Sequence, residues 1–284
     1  MGTLYKLSGA GNDFIVLDGR SGGVDEYRKE VTIKTSCDRN TGFKAADGRV
    51  GADGVMILSS SVDGAWDFVM EFFNSYGSSG MMCGNGGRCI VAFADFMGIV
   101  PANGKFYEFL AADGPHTGEI LGRDGHSCTV KLKMKDVSEY RRCTDGWFLD
   151  TGTRHFVKFV DDVEAVDIAT EGPRYRWSEE FAPIGANVNF VQVLPDGSLK
   201  VRTFEKGVED ETLACGTGIT ASALAAQLEA WHKDAGTDTP ASSGTTAKSI
   251  HTAVHARIDE LAVDFTPSGS IFTDVFLTGP AALI

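Results

Sequence analysis

The chain has 284 residues, enough to bury a sizeable core in one large domain or two of ordinary size. With 43% hydrophobic and 23% charged residues and no apolar run long enough to span a membrane, it reads as a soluble globular protein. The start, MGTLYKLSGAGNDF, has no apolar core behind a basic end, so a cytosolic location is expected. A formal net charge of -13 argues against a phosphate backbone as partner, which leaves a small molecule.

The six cysteines (Cys37, Cys83, Cys89, Cys128, Cys143 and Cys215) include no C-x-x-C pair, and the six histidines are scattered. Free thiols and no metal site are the expectation.

In chain order, Lys6 to Asp18 (KLSGAGNDFIVLD) joins a glycine-rich turn to an apolar run through Phe14, Ile15 and Val16, the pattern of a turn entering a buried strand. Lys44 to Arg49 (KAADGR) reads as a surface insertion. Arg49 to Leu58 (RVGADGVMIL) is again a glycine turn entering an apolar strand, and Phe72 to Gly77 (FFNSYG) ends in another turn. Gly84 to Met97 is apolar on most faces and stops at Gly98, which predicts a buried helix with a glycine beyond its C-terminus.

The second half repeats these markers. Asp150 to Val160 (DTGTRHFVKFV), Pro183 to Val193 (PIGANVNFVQV) and Thr203 to Gly207 (TFEKG) precede Cys215 in the order, and at separations close to those, in which their counterparts precede Cys83. The alanine-rich stretch from Gly216 to about Trp231 predicts a second central helix, and Lys233 to Lys248, rich in Thr, Ser, Ala and Gly, reads as a mobile loop. Four ordered markers point to an internal duplication. We expect an α+β fold of two pseudo-symmetric domains, 1–126 and 127–284, each a sheet wrapped around one helix. Roughly the last ten residues would pack back on the first domain.

The stretches MCGNGGRC (Met82 to Cys89) and ACGTG (Ala214 to Gly218) set a cysteine where a glycine turn becomes a helix. Unpaired N–H donors and the positive end of the helix dipole favour thiolate there by up to about 2 kcal/mol. At about 1.36 kcal/mol per pKa unit, that takes a thiol from about 8.5 to about 7. The same turn offers backbone N–H groups to a carboxylate and to an enolate developing on it. If Cys83 and Cys215 flank one carbon, one removes a proton while the other delivers one to the opposite face, inverting that carbon. The pair would share a proton and titrate as a unit. Cys37, Cys89, Cys128 and Cys143 lack such a setting and read as structural.

Five motifs in order, GAGNDF, GADG, MCGNGGRC, NVNFVQV and ETLACGTG, resemble the diaminopimelate epimerase family over almost the whole chain. Proline racemase-like enzymes are a poorer match, typically carrying His where this chain has Asn85, and PhzF-like isomerases lack the cysteine pair. The resemblance implies barrel-like sheets of antiparallel and mixed pairing, a cytoplasmic homodimer, and interconversion of LL- and meso-diaminopimelate without pyridoxal phosphate or metal. It gives Cys83 and Cys215 as the acid/base residues. Gly84, Asn85, Gly216 and Thr217 would hold the reacting carboxylate, Asn12, Asn74 and Asn187 would contact substrate, and His155 and Glu205 would orient the reacting amino acid.

The chain departs from the family pattern away from the reacting centre. Thr153 and Arg154 stand where the family usually has Asn-Pro, Lys206 where it usually has Arg, and Tyr76 where it usually has Asp. Thr153 and Lys206 occupy substrate-reading positions, and Arg154 or Lys206 is a candidate partner for a distal carboxylate. A racemase of another polar or basic amino acid, such as histidine or lysine, is the alternative activity. A non-catalytic protein whose two thiols form a reversible disulfide is the alternative class.

Overall fold

The computed structural model describes residues 2–80, 82–235 and 248–284. The chain divides into two compact units, 1–132 with 279–284, and 133–278.

In the first unit the strands are β1 (Tyr5–Gly9), β2 (Asn12–Asp18), β3 (Gly54–Ser59), β4 (Phe68–Asn74), β5 (Tyr107–Ala111), β6 (Gly114–Asp124), β7 (Ser127–Lys133) and the end of β16 (Ile271–Leu283). Each pairs with the next, β7 pairs with β16, and β16 pairs back onto β1, so these eight strands close into a barrel. Closure leaves no exposed edge. Inside lies helix α2 (Gly84–Phe96), buried from Gly84 through Ala94. The turn between β1 and β2 is two residues, Ala10 and Gly11, both at positive φ (50° and 96°), as a hairpin turn matched to strand twist requires. It starts β2 at Asn12.

The second unit contains β8 (Tyr140–Cys143), β9 (Gly146–Asp150), β10 (Arg154–Phe159), β11 (Asn187–Val193), β12 (Leu199–Glu205), β13 (Asp210–Thr212), β14 (Ile250–His255), β15 (Glu260–Ser268) and the start of β16. The order is β8-β9-β10-β11-β12-β14-β15-β16, with β13 beside β12 and an isolated bridge from Val137 to Phe272. Helix α4 (Gly216–Ala235) packs on β9 through β12 and on β14 and β15.

The pairing sense repeats. From β1 to β6 it runs antiparallel, parallel, antiparallel, parallel, antiparallel. From β9 to β15, passing over β13, the same sequence recurs. Parallel neighbours need a crossover, usually helical. In each unit the second crossover is the central helix, α2 or α4, and the first runs outside the sheet.

Those outer crossovers differ from the expectation of one helix per half. Helix α1 (Glu30–Cys37) lies between β2 and β3, and α3 (Ile168–Arg176) between β10 and β11. Each covers the outer face of the strands it joins. Ile33 and Cys37 of α1 pack with Ile15, Leu17, Val55 and Ile57, while Ile168 and Tyr175 of α3 pack with Phe156, Val188, Phe190 and Phe204. That cover is why β2 and most of β11 are buried on both faces rather than alternating.

The units meet in sequence after Leu132 rather than near His126, because β7 is paired with β6. Within KAADGR and its flanks, Lys44 bridges Val50 and Ala45 N–H donates to Arg49 O at 2.9 Å, making a small hairpin tied off by Gly51 N–H on Phe43 O. Of the stretch Lys233 to Lys248, Lys233 to Ala235 belong to α4, and 236–247 lie outside the described residues.

Candidate active site

Cys83 is the N-cap of α2. Its backbone is extended (φ -108°, ψ 152°) and its Sγ accepts from Gly86 N–H at 3.2 Å, so the sulfur takes the place of the usual cap oxygen. The glycines here are a packing requirement as well as a turn: a Cβ on Gly87 would lie 2.8 Å from both Leu132 and Met82 side-chain atoms.

Around this cap the first unit builds a directed chain. Asp53 Oδ2 accepts from Asn12 Nδ2 at 2.8 Å and from Asp13 N–H at 3.1 Å. Asn12 Oδ1 accepts from Asn85 Nδ2 at 2.7 Å, and Asn85 Oδ1 accepts from Arg88 Nη2 at 2.9 Å. A carboxylate only accepts and a guanidinium only donates, so the two ends fix both amides between them. Asp53 is held in turn by Arg39, which also lies 2.7 Å from Asp13 Oδ1. Arg88 is fully buried and reaches Gly84 O and Pro280 O. Of the expected residues in this unit, Cys83, Gly84, Asn85 and Asn12 are brought together. Asn74 sits at the end of β4, where its amide donates to Ser78 Oγ at 3.0 Å and holds its own turn.

In the second unit Cys215 lies one residue before α4 and is buried. Its Sγ is 3.4 Å from Thr217 Oγ1, which is 2.9 Å from His155 Nε2 and 3.1 Å from Thr153 Oγ1. His155 on β10 is fully buried, and burial pushes its pKa down to about 3, against a smaller opposing pull from Asp150. It is therefore neutral at physiological pH. Asn187 Oδ1 accepts from Lys206 N–H at 2.7 Å and its Nδ2 donates to Arg154 O at 3.0 Å, joining the ends of β10 and β12. Glu205 closes β12, paired with Asp210, and Lys206 is exposed in the turn after it.

Arg154 points the other way from His155, as neighbours on a strand do. Its guanidinium stacks 5.2 Å from the Phe148 ring and donates to Phe181 O. Lys206, the other cation named from the sequence, is exposed.

Sequence reasoning passed over Asp53, Arg88 and Asn189. Two of them carried a signal: a cation in a largely apolar helix for Arg88, and a second asparagine two residues after Asn187 in NVNFV, on the same face of β11, for Asn189.

Neutral burial of His155 gives a stability prediction. Its folded pKa is below the unfolded value, so the unfolded chain binds more protons between about pH 6.5 and 3. The stability is fully present above about pH 6.5 and is lost as pH falls through that window. Urea unfolding at pH 5 should show the wild type about 2 kcal/mol less stable than at pH 7 on this account, at about 1.36 kcal/mol per unit. His155→Gln should lack that part of the slope, and an unchanged slope would refute the assignment.

A barrel and a second sheet, each around a central helix with a cysteine at its glycine-rich start, are the frame expected of an isomerase of the racemase and epimerase kind. The family model described as diaminopimelate epimerase matches residues 4–131 and 147–265, and the chain belongs to that family. It is 38% identical to a diaminopimelate epimerase of Flavobacterium psychrophilum over 99% of this chain and 97% of that one. It is 42% identical to that of Chlorobaculum tepidum over 77% of this chain and 80% of that one. Among solved structures, a PhzF-family phenazine biosynthesis protein of Bacillus anthracis has a TM-score of 0.66 at 11% identity, covering 99% of this chain and 96% of that one. At that identity the likeness speaks for the fold.

Proposed function

We propose that the chain interconverts LL- and meso-diaminopimelate by moving a proton at one α-carbon, with Cys83 and Cys215 as the two acid/base groups. Family membership supports the substrate, and a cysteine at the start of each central helix supports the chemistry. The observation that carries the reading is Cys83 as N-cap with Gly86 N–H on its sulfur, a donor that stabilises thiolate. Gly84, Asn85, Gly216 and Thr217 hold the reacting carboxylate, Asn12, Asn74 and Asn187 contact the substrate, and His155 and Glu205 orient the reacting end. Thr153 and Lys206 read the distal end. Neither pyridoxal phosphate nor metal takes part.

The test is incubation with LL-diaminopimelate in deuterated water. Deuterium should appear at one α-carbon together with the meso isomer, and no exchange at millimolar substrate would sink the substrate assignment. A second reading, a racemase of another polar or basic amino acid, is favoured by the outward turn of Arg154. If histidine or lysine exchanges its α-proton far faster than diaminopimelate, that reading replaces the first. The same reading carries a cytoplasmic homodimer, and light scattering at the mass of a single chain would refute the dimer.

A further inference from the structure

Asn189, on β11, is fully buried and stands behind His155. Its Nδ2 is 3.1 Å from Phe156 O and 3.1 Å from His155 Nδ1, and its Oδ1 accepts from Thr203 Oγ1 at 3.0 Å. A carbonyl only accepts, so the nitrogen must face Phe156 O, and the same NH2 group then donates to His155 Nδ1. His155 is neutral, so its one proton sits on Nε2.

The polarity continues toward the sulfur. His155 Nε2 is 2.9 Å from the oxygens of both Thr153 and Thr217. Thr153 Oγ1 has Asn187 Nδ2 at 3.5 Å on its accepting side, so its own proton is available to Thr217 Oγ1, 3.1 Å away. With its oxygen accepting from His155 Nε2–H and from Thr153, Thr217 has its hydroxyl proton left for Cys215 Sγ at 3.4 Å. The second glycine of ACGTG is what lets the chain close this tightly. A Cβ on Gly218 would lie 2.3 Å from Asn189 Oδ1 and 3.2 Å from His155 Cε1.

We propose that Asn189 is a positioning residue for Cys215: by fixing His155 as the Nε2–H tautomer, it turns the Thr153 and Thr217 hydroxyls so that Thr217 donates to the Cys215 sulfur. Thr153, at a position read from the sequence as substrate-facing, is part of this chain. The inference rests on the reading of Cys215 as a proton-transfer residue, and its consequence is a Cys215 thiolate stabilised before substrate arrives.

The test is nitrogen NMR of protein labelled at histidine, with iodoacetamide alkylation of Cys215 at neutral pH followed by peptide mapping in the Cys83→Ala background. In the wild type His155 should show a protonated Nε2 and a bare Nδ1; a proton on Nδ1 overturns the proposal without any variant. Asn189→Asp should move the proton to Nδ1. Asn189→Asp and Thr217→Val should each slow alkylation about tenfold, one pKa unit's worth of thiolate, while Thr217→Ser stays near wild type. Asn189→Asp should lower kcat with little change in KM, as loss of an interaction made in the transition state does. If Asn189→Asp does not fold, the Thr217 pair still decides, and alkylation of Thr217→Val at the wild-type rate overturns the proposal. Failure to turn over diaminopimelate with the Nε2–H tautomer and the Thr217 effect intact counts against the substrate, not against this chain.

Discussion

Cys83→Ala and Cys215→Ala should each lower epimerisation by roughly 10²–10⁴-fold, the contribution of one positioned acid/base group, and each should leave α-proton exchange from one epimer only. On the proposed mechanism, in which each thiol serves one face of the reacting carbon, removing one leaves a base that can reach the proton of a single stereoisomer. That base takes the proton and returns solvent deuterium to the same face, so exchange proceeds without inversion. The two variants should therefore exchange opposite epimers. No other cysteine can stand in: burial pushes the Cys37 thiol up to about 11 and the Cys89 and Cys143 thiols up to about 12, and it raises that of Cys128. Alanine keeps both helix starts, though at position 83 it removes the acceptor for Gly86 N–H at a cost of about 1 kcal/mol. Mass spectrometry of each epimer in deuterated water reads the result. Exchange of the same epimer by both variants would establish a single base and end the two-thiol mechanism.

The parts of this chain that were legible in its sequence are those whose physics is local. A cysteine followed by glycines and an apolar run marks a helix start wherever it lies, so α2 and α4 were readable, as were the turn at Ala10 and Gly11 and the glycine at φ 74° after α2. Helices α1 and α3 were not. They exist because β2 lies parallel to β3 and β10 to β11, and parallel pairing is a fact about neighbours far apart in sequence. Neither helix has a strong apolar stripe of its own: α1 buries only Ile33 and Cys37. The same separation hid half of the site. What fixes the hydrogens of Asn12 and His155 is Asp53 and Asn189, more than thirty residues away in each case, so those roles follow from distances across the fold although all four residues stand in recognisable stretches. Arg154 shows the reverse error: adjacent to His155 in sequence, it faces away because strand neighbours do.

The other large effect lies beneath the turn that carries Asn12. Lys6→Met should cost about 3–5 kcal/mol in urea unfolding, the usual penalty for stripping one partner from a buried ion pair. Lys6 Nζ lies 2.8 Å from Asp13 Oδ2, with side-chain exposures of 0% and 4%. After the substitution Arg39 is the cation left beside Asp13 among the described residues, and that side chain is 48% exposed, so water screens it. Lys6→Met combined with Asp13→Leu should recover most of the loss, because a matched apolar pair replaces a buried ion pair at little cost. A single variant within about 1 kcal/mol of wild type, the range of an exposed pair, would show that the pair is not an anchor. The double variant should still lose activity while regaining stability. Arg39 bridges Asp13 and Asp53, and Asp53 sets the Asn12 amide against Asn85. Removing Asp13 frees one side of that bridge, so stability and the aim of the Asn12 amide part company in this variant.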